Sequence, residues 1–358
     1  MRPTMKNRRV LLASRPMGLP TSANFVFDEQ IVPAIGPGEI LLKTLWLSIE
    51  PYMLLGMKGS APHSRRPGPD RLANLAGKYL GGVEIGAVMY GPTVSLVVES
   101  RNERFSAGDV VQAYSGWQHY AIDDGSTLRK IDTAQLSPTT ALGVLGVPGF
   151  TAYIGMKLIG QPKPGETVAV SAALGPVGSV VGQMARIAGA RAVGIASGPE
   201  KCRYLVEELR FDAAVDRLAD DFPEQLKAAC PKGIDVYFEN AGGAVWWAAL
   251  PLLNEFARVP LCGLVANYSD GGTVAGVDRS MEVLQKILLF RIRIQGLFTF
   301  DHSNMEDEFL KDVGAWVSEG RIRYKEDIVD GLDHAPEALI GVLKGRNVGK
   351  LLVKTGDM

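Results

Sequence analysis

A glycine-containing turn between an apolar run and an amphipathic stretch is the feature that most limits what this chain can fold into. Residues 167–171 form an apolar, β-branched run of the kind that suits a strand buried on both faces. Beyond the turn, apolar residues recur at intervals of three and four, which places them on one face of a helix: Val177, Val180, Val181, Met184 and Ile187. Residues 166–188 are therefore predicted to form a strand, a tight turn and a helix.

The turn has the spacing of the dinucleotide fingerprint, with Ala173 in place of the first glycine. Gly175 would let the backbone approach a pyrophosphate, and Gly178 would let the helix pack closely on the strand. Pro176 suits a first helical turn, since its missing N–H has no helical partner there, and the helix N-terminus near Val177 favours a phosphate. A glycine turn without a ligand is the alternative, but the strand–helix units that follow favour nucleotide binding.

Length, charge and cysteine usage narrow the class of protein. A chain of 358 residues suits two domains, and a formal net charge of -1 gives no reason to expect nucleic acid or an anionic membrane as a partner. No run approaches the roughly 18 apolar residues of a membrane span, and residues 1–10 lack the apolar stretch of a signal peptide. The three cysteines are odd in number and widely spaced, as in reduced thiols. A cytoplasmic protein with a small-molecule ligand is expected.

Three segments differ in their patterns. Residues 1–133 alternate short β-type runs with Gly and Pro turns, which predicts a β-rich, partly closed barrel; within them, the polar, proline-rich residues 59–77 are predicted to form a long surface loop. Residues 134–323 alternate strands and helices, which predicts an α/β domain with a doubly wound parallel sheet. Residues 324–358 add one helix and a last strand.

Seven stretches carry a family resemblance. In chain order they are SIEPYM (48–53), VVESRNERFSAGDVV (97–111), GVPGFTAYIG (146–155), GPVGSVVGQ (175–183), PEKCRYL (199–205), ENAGG (239–243) and LKGRNVGKLLV (343–353). Together they span nearly the whole chain. The sequence resembles the medium-chain dehydrogenase/reductase superfamily and, within it, the zinc-independent, NADPH-dependent alkene reductases.

The resemblance implies an architecture and an assembly. Residues 1–133 would form a GroES-like catalytic domain, residues 134–323 a Rossmann domain that binds NADPH, and residues 324–358 a segment that returns to the catalytic domain. It also implies a homodimer, in which the apolar strand 292–300 could pair with its copy across a two-fold axis.

Cofactor choice depends on the end of the second Rossmann strand. NAD-specific folds place a carboxylate about 20 residues after the glycine turn, and residues 195–198 contain no acid. A 2′-phosphate would instead meet Ser197, Lys201 and Arg217. Lys201 lies in the PEKCRYL match and would otherwise be a solvated surface charge, whereas Arg217 stands where relatives often have a tyrosine.

Four further residues are carried over from the resemblance. The stretch LCGLVANYSD places Tyr268 near the nicotinamide, at the end of a predicted strand 259–265, and SIEPYM places Tyr52 near substrate. Each is otherwise a half-buried aromatic residue with a satisfied hydroxyl. Asn240 and Asn347 are expected to contact the cofactor, although either could simply satisfy turn backbone.

The expected chemistry needs no metal. Catalytic zinc requires about three N, S or O ligands, but no cysteine precedes Cys202, and His63 and His119 are isolated. The resemblance implies hydride transfer from NADPH to the β carbon of an enone or enal and a proton to its α carbon, with Tyr268 or a cofactor ribose hydroxyl donating to the carbonyl oxygen. A quinone reductase and a non-catalytic NADPH-binding protein stay open as alternatives.

Overall fold

The structure is a computed structural model that describes residues 5–59, 70–80, 82–134, 136–269 and 278–357. The strands in chain order are β1 (Lys6–Leu12), β2 (Phe25–Ile31), β3 (Ile40–Ser48), β4 (Thr93–Ser100), β5 (Val110–Ala113), β6 (Tyr120–Asp123), β7 (Arg129–Lys130), β8 (Thr167–Val170), β9 (Arg191–Ala196), β10 (Ala213–Asp216), β11 (Ile234–Phe238), β12 (Leu253–Leu261), β13 (Arg293–Gly296), β14 (Glu326–Asp330) and β15 (Lys350–Lys354). The helices are α1 (Met53–Met57), α2 (Arg71–Leu80), α3 (Val147–Ile154), α4 (Gly178–Ile187), α5 (Pro199–Glu207), α6 (Phe222–Ala229), α7 (Gly243–Ala249), α8 (Ser280–Phe290), α9 (Glu306–Ser318) and α10 (Ala335–Leu343).

Contacts along the chain divide it into two compact units. The β-rich unit comprises residues 1–142, 326–347 and 351–358, and the Rossmann unit comprises residues 143–325 and 348–350. The sequence pattern predicts domain boundaries between residues 133 and 134 and between residues 323 and 324. In the structure, the boundaries between the two units lie between residues 142 and 143 and between residues 325 and 326.

The β-rich unit is built on an antiparallel sheet whose strands include the last one in the chain. The sheet order is β14-β15-β3-β4-β5-β7, and β6 also pairs with β3. The strand β3 is central because it pairs with β15, β4 and β6, and nearly all of its side chains are buried. Trp117, fully buried, stacks on Phe25 at a centroid distance of 5.6 Å and anchors the core beneath the separate β1–β2 pair. This β-rich architecture confirms the predicted class of the first domain.

One sequence prediction in this unit is wrong. Residues 60–69 of the predicted surface loop lie outside the described residues, but residues 71–80 form the helix α2. The physical reason is an apolar spacing within the stretch. Leu72, Leu75 and Ala76 recur at helical intervals, and all three are buried.

The Rossmann unit contains a parallel six-stranded sheet in the order β10-β9-β8-β11-β12-β13. This is the doubly wound order in which the first strand of the unit, β8, lies at the centre between the two halves. All of β8 is buried, as its apolar composition predicts, and the helix α4 follows it directly. The predicted Rossmann fold is confirmed, and its topological switch point lies between β8 and β11.

Candidate active site

Several loops of the Rossmann unit meet at the carboxyl edge of its parallel sheet. Residues 171–177 follow β8, residues 197–198 follow β9, residues 239–242 follow β11, and residues 262–268 follow β12. Ligands of open parallel sheets bind outside the carboxyl ends of the strands, at the switch point. Most of the candidate residues therefore fall at the edge where a nucleotide is expected.

The glycine turn is shaped by close backbone contacts. A Cβ atom added to Gly178 would lie 2.6 Å from Ala172 O, and one added to Gly175 would lie 3.2 Å from the same oxygen. The Gly175 amide donates to Ala172 O at 3.0 Å, and the amide of the buried Ala173 donates to Ile195 O at 2.9 Å. The turn is thus tied to β9, and only a residue without a side chain fits at Gly178.

Ala172 adopts φ +50°, a left-handed conformation that is uncommon without glycine. Such strained residues concentrate at functional sites. Pro176 and Val177 lead into α4, and Val177 caps its N-terminus. Pro176 therefore precedes the helix instead of occupying its first turn. The tight turn and the first helical amides fit a pyrophosphate.

A polar corner follows β9. The exposed Arg217 donates from Nε to Ser197 Oγ at 3.0 Å, and Lys201 lies half-buried in the first turn of α5. An acid, Asp216, does lie beside Ala196 on the neighbouring strand, but its Oδ1 accepts the amides of Gly198 at 2.7 Å and Leu218 at 2.9 Å. This carboxylate oxygen therefore orders the turn. The corner fits a 2′-phosphate through its cationic side chains.

Tyr268 lies at the edge formed by β11 and β12. Its phenol oxygen is 3.5 Å from the position of a Cβ on Gly263. Burial, with a smaller contribution from Cys262, raises the pKa of the Tyr268 phenol. The predicted strand 259–265 is wrong at its end: β12 ends at Leu261, and Tyr268 follows a short 3₁₀ turn over Val265–Asn267.

Asn240 is tied to the loop after β8. Its side-chain Nδ2 donates to Ser171 O at 2.8 Å, and its backbone amide donates to Ser171 Oγ at 2.7 Å. This is the turn-satisfying role that the sequence left open as an alternative to cofactor contact. Because Asn240 also lies at the switch point, a contact between Asn240 and the cofactor stays a proposal.

Sequence reasoning missed Glu239, the residue that joins the two loops at the switch point. Glu239 is 1% exposed, and its Oε1 accepts hydrogen bonds from Ser171 Oγ at 2.7 Å and from the amides of Ala241 at 2.7 Å and Gly242 at 3.0 Å. Burial and the nearby Glu239 raise the pKa of Cys262 to about 12, which keeps this thiol protonated and unreactive. The sequence signal that could have identified Glu239 is an acidic residue directly after a buried strand, at the start of ENAGG.

Tyr52 and Asn347 belong to the β-rich unit. Tyr52 precedes α1, and its hydroxyl lies 2.7 Å from the hydroxyl of Tyr114. The ring of Tyr90 stacks on both, with centroid distances of 5.9 Å to Tyr52 and 6.0 Å to Tyr114. Asn347 is half-buried between α10 and β15. Tyr90 and Tyr114 were missed because no local spacing links three tyrosines so far apart in the chain.

A groove of about 650 Å³ lies elsewhere in the Rossmann unit. It is lined by residues that precede β11 and β12, such as Pro231 and Pro251, together with Lys286 and Phe290 of α8. Because the strands are parallel, this groove is at the edge opposite the glycine turn. It is therefore not the nucleotide site.

Within the described ranges, no group of three or more His, Cys, Asp and Glu side chains is placed to hold a metal ion. His63 lies outside those ranges, and metal independence stays a prediction. Of the helices that the structure describes, none is both long and apolar enough to cross a membrane.

A β-rich unit followed by a Rossmann unit with a cationic corner after β9 is the architecture of nucleotide-dependent oxidoreductases. Residues 176–314 match the family described as zinc-binding dehydrogenase, and residues 8–69 and 70–131 match the N-terminal domain of oxidoreductase. The chain is 48% identical to the NADPH-dependent curcumin reductase of Escherichia coli K12 over 98% of each chain, and 38% identical to prostaglandin reductase 1 of Rattus norvegicus over 94% of this chain and 95% of that one. The crystal structure of CurA from Vibrio vulnificus in complex with NADPH superposes with a TM-score of 0.90, at 43% identity, over 98% of this chain and 100% of that one. The chain belongs to the medium-chain dehydrogenase/reductase superfamily, in its group of NADPH-dependent alkene reductases.

Proposed function

We propose that this protein uses NADPH to reduce the C=C bond of α,β-unsaturated ketones and aldehydes, without a metal ion. The observation that carries the proposal is the Tyr268 phenol, which lies at the same sheet edge as the glycine turn and next to Gly263. It is a hydrogen-bond donor for a substrate carbonyl at the place where a nicotinamide is expected. The relatives named as curcumin and prostaglandin reductases support the same substrate class.

Cofactor binding is assigned to the loops at this edge. The turn would hold the pyrophosphate, the corner after β9 would hold the 2′-phosphate, and two asparagines would contact the remainder of the cofactor. The residues are Ala173, Gly175, Pro176, Val177 and Gly178 for the turn, Ser197, Lys201 and Arg217 for the corner, and Asn240 and Asn347. When bound, NADPH supplies the hydride that is added to the β carbon of the alkene.

Tyr268 would stabilise the charge that develops on the carbonyl oxygen. Its raised pKa keeps the phenol protonated through the neutral range, so it can donate a hydrogen bond there. A donor aimed at developing charge lowers the barrier more than one aimed at the neutral substrate. Tyr52 of the β-rich unit would contact the substrate.

A cofactor-oxidation assay tests the function. Purified protein is mixed with NADPH and, in separate reactions, a simple enone, its saturated ketone and a quinone, and the products are identified by mass spectrometry. We expect a saturated ketone from the enone, no consumption of NADPH with the ketone alone, and full activity after treatment with a chelator. Turnover of quinones alone would support a quinone reductase, and no turnover at all would support a non-catalytic binding protein.

Assembly and location are proposed on separate grounds. The strand β13 is at the edge of the sheet, and α8, which precedes it in the chain, exposes apolar side chains; both features support a homodimer through this face. Cys202, Cys230 and Cys262 are all free thiols, which supports a reducing compartment such as the cytoplasm.

A further inference from the structure

Glu239 is a buried acidic side chain without a cationic partner among the described residues. It is 1% exposed, and its Oε1 accepts hydrogen bonds from three neutral donors: Ser171 Oγ and the amides of Ala241 and Gly242. Its other oxygen, Oε2, is buried and accepts no hydrogen bond from any residue that the structure describes. A buried carboxylate is costly unless an opposite charge compensates it, so its presence here requires an explanation.

Ordering of the surrounding loops does not by itself require a charge. The backbone carbonyl of Glu239 accepts the amides of Cys262 at 2.9 Å and Gly263 at 3.1 Å, and Ser171 Oγ accepts the amide of Asn240 at 2.7 Å. Neutral acceptors therefore already connect the loops after β8, β11 and β12. What the carboxylate adds to these contacts is a negative charge.

Glu239 lies in the half of the Rossmann unit that is expected to hold the nicotinamide. A doubly wound fold has two mononucleotide-binding halves, one on each side of the switch point. The cationic corner for the 2′-phosphate follows β9 and therefore belongs to the adenosine half. The nicotinamide half is then the one that contains β11, β12 and β13, and Glu239 directly follows β11, next to Asn240.

We propose that the carboxylate of Glu239 stabilises the positive charge of the oxidised nicotinamide, which strengthens the binding of NADP⁺ and favours hydride transfer from NADPH. The inference rests on the cofactor placement and the enone reduction proposed above. In that reaction a C–H bond of the reduced ring breaks, both of its electrons go with the hydride into a new C–H bond at the β carbon, and the ring is left as a cation. The neutral ring of NADPH offers Glu239 no such charge.

The negative charge of Glu239 acts on other groups around it. Burial, with the charge of Glu239 as a further cause, raises the pKa of the Cys262 thiol to about 12 and the pKa of the Tyr237 phenol well above its ordinary value. A carboxylate that disfavours a neighbouring thiolate or phenolate favours a neighbouring cation for the same reason. The low dielectric of a buried site strengthens this attraction.

Two substitutions of Glu239 separate its charge from its geometry. Glu239→Gln keeps an acceptor oxygen for the three donors and removes the charge, whereas Glu239→Asp keeps the charge and shortens the side chain. We expect Glu239→Gln to raise the dissociation constant for NADP⁺ about 10-fold and that for NADPH less than about 2-fold, as for the loss of one nearby charge at a partly buried site. Glu239→Asp should keep the wild-type ratio of the two constants, which isothermal titration calorimetry measures.

Single-turnover kinetics with an enone give a second readout. Glu239→Gln is expected to slow the oxidation of bound NADPH about 3- to 10-fold, because part of the positive charge has developed in the transition state. Asp235→Asn is the matched control. Asp235 is an acid of the same strand that also accepts two hydrogen bonds, from the Thr167 amide and from Asn254, but it lies near the amino end of β11. It should keep the ratio and the rate of the wild type.

The inference is overturned if Glu239→Gln leaves both dissociation constants unchanged or raises them by the same factor, or if Glu239→Asp shifts their ratio as much. If Glu239→Gln does not fold, Ser171→Ala decides. It removes one donor to Oε1 and keeps the charge, so it should weaken both cofactor forms equally, and an unequal loss would contradict the inference. A wild type that binds both forms but reduces no enone would refute the proposed function and leave the ratio measurable, so the two failures are distinguishable.

Discussion

At the scale of single residues, cofactor choice depends on the corner after β9. The carboxylate nearest to it, Asp216, uses Oδ1 to bind the amides of Gly198 and Leu218. Lys201 follows this turn in α5, and Arg217, which follows β10, donates to Ser197. A 2′-phosphate would gain charge-assisted hydrogen bonds here that a 2′-hydroxyl would not.

Replacing Lys201 with Ala should therefore raise the KM for NADPH. The loss of one charge-assisted hydrogen bond corresponds to about 1–3 kcal/mol, or roughly a 5- to 150-fold increase. The kcat and KM with NADH should change little, because NADH has no 2′-phosphate. Lys227→Ala, which removes an exposed lysine from α6, is the control and should leave both cofactors unaffected. An equal loss with NADPH and NADH would show that Lys201 supports the fold instead.

Tyr268→Phe tests the proposed oxyanion donor, because it keeps the ring and removes only the hydroxyl. Removing one such donor in other enzymes lowers kcat by about 10²–10³-fold, and we expect a decrease of that size with an enone. The dissociation constant for NADPH, measured by fluorescence titration, should stay near that of the wild type. Tyr204→Phe, a half-buried tyrosine on α5, serves as the control. Unchanged turnover in Tyr268→Phe would rule out the role.

Local spacing predicts some of these residues and not others. The glycine turn could be read from the sequence because all its contacts lie within a few residues or with the next strand. The sequence predicts Tyr268 near a strand end because apolar residues continue past Leu261. The strand stops there, since the amides of Cys262 and Gly263 turn to donate to Glu239 O. Such a contact between two strands is not encoded in either segment alone.

At the scale of elements, Arg258 of β12 fixes the end of the helical segment before β8. Residues 155–160 continue α3 as a π-helix, which leaves carbonyl groups at its end. Arg258 donates to Gly160 O at 2.9 Å and Gln161 O at 3.0 Å, and its guanidinium binds Glu166 at 3.0 and 2.6 Å. One side chain thus connects the helix end, the residue before β8 and the strand β12.

Glu166→Gln should destabilise the Rossmann unit in a way that depends on pH. Burial acts to raise the pKa of Glu166, but the hydrogen bonds from Arg258 and from the Lys163 amide outweigh it, so the pKa is lowered from 4.5. A carboxyl whose pKa is lower in the folded state stabilises the fold fully above about pH 4.5 and loses that effect as the pH falls through its folded value.

At pH 7 we expect Glu166→Gln to lower the thermal midpoint by about 2–4 °C, which corresponds to roughly 1 kcal/mol in a unit of this size. The difference from the wild type should shrink as the pH falls from 4.5 through the lower pKa of folded Glu166, because the wild type then also carries a neutral group. Glu282→Gln removes the carboxylate of an exposed ion pair with Arg279 and should change the midpoint little. A pH-independent difference for Glu166→Gln would mean that lost packing, and not charge, is responsible.

At the scale of the whole molecule, the sequence predicts both folds but not how the chain is distributed between them. The alternation of strands and helices after residue 134 is enough to predict a parallel sheet with helices on both faces. The return of the chain to the β-rich unit depends on β15 pairing with β3, across Leu352 and Ser48. That pairing joins segments some 300 residues apart in sequence. No local pattern predicts such a contact, and only the family resemblance implies that the chain returns to the first domain.

The proposed dimer follows from what the Rossmann unit leaves exposed. Met281, Leu284 and Leu288 recur along one face of α8 and are 65%, 55% and 75% exposed. The edge strand β13 lies next in the chain, with hydrogen-bonding groups on its outer side that no strand of the described sheet uses. A two-fold axis beside β13 would pair each strand with its copy and bury both apolar faces, as an isologous interface requires.

Leu288→Glu should therefore separate the dimer, because it would place two carboxylates in an apolar interface. Light scattering after size exclusion should give twice the chain mass of 38.5 kDa for the wild type and a single chain mass for the variant. Leu218→Glu is the control: Leu218 is 61% exposed, but it lies in the loop after β10, at the other edge of the sheet. It should stay dimeric. A monomeric wild type, or dissociation by both substitutions, would remove the support for this interface, and a stable dimer in Leu288→Glu would place the contact on another face.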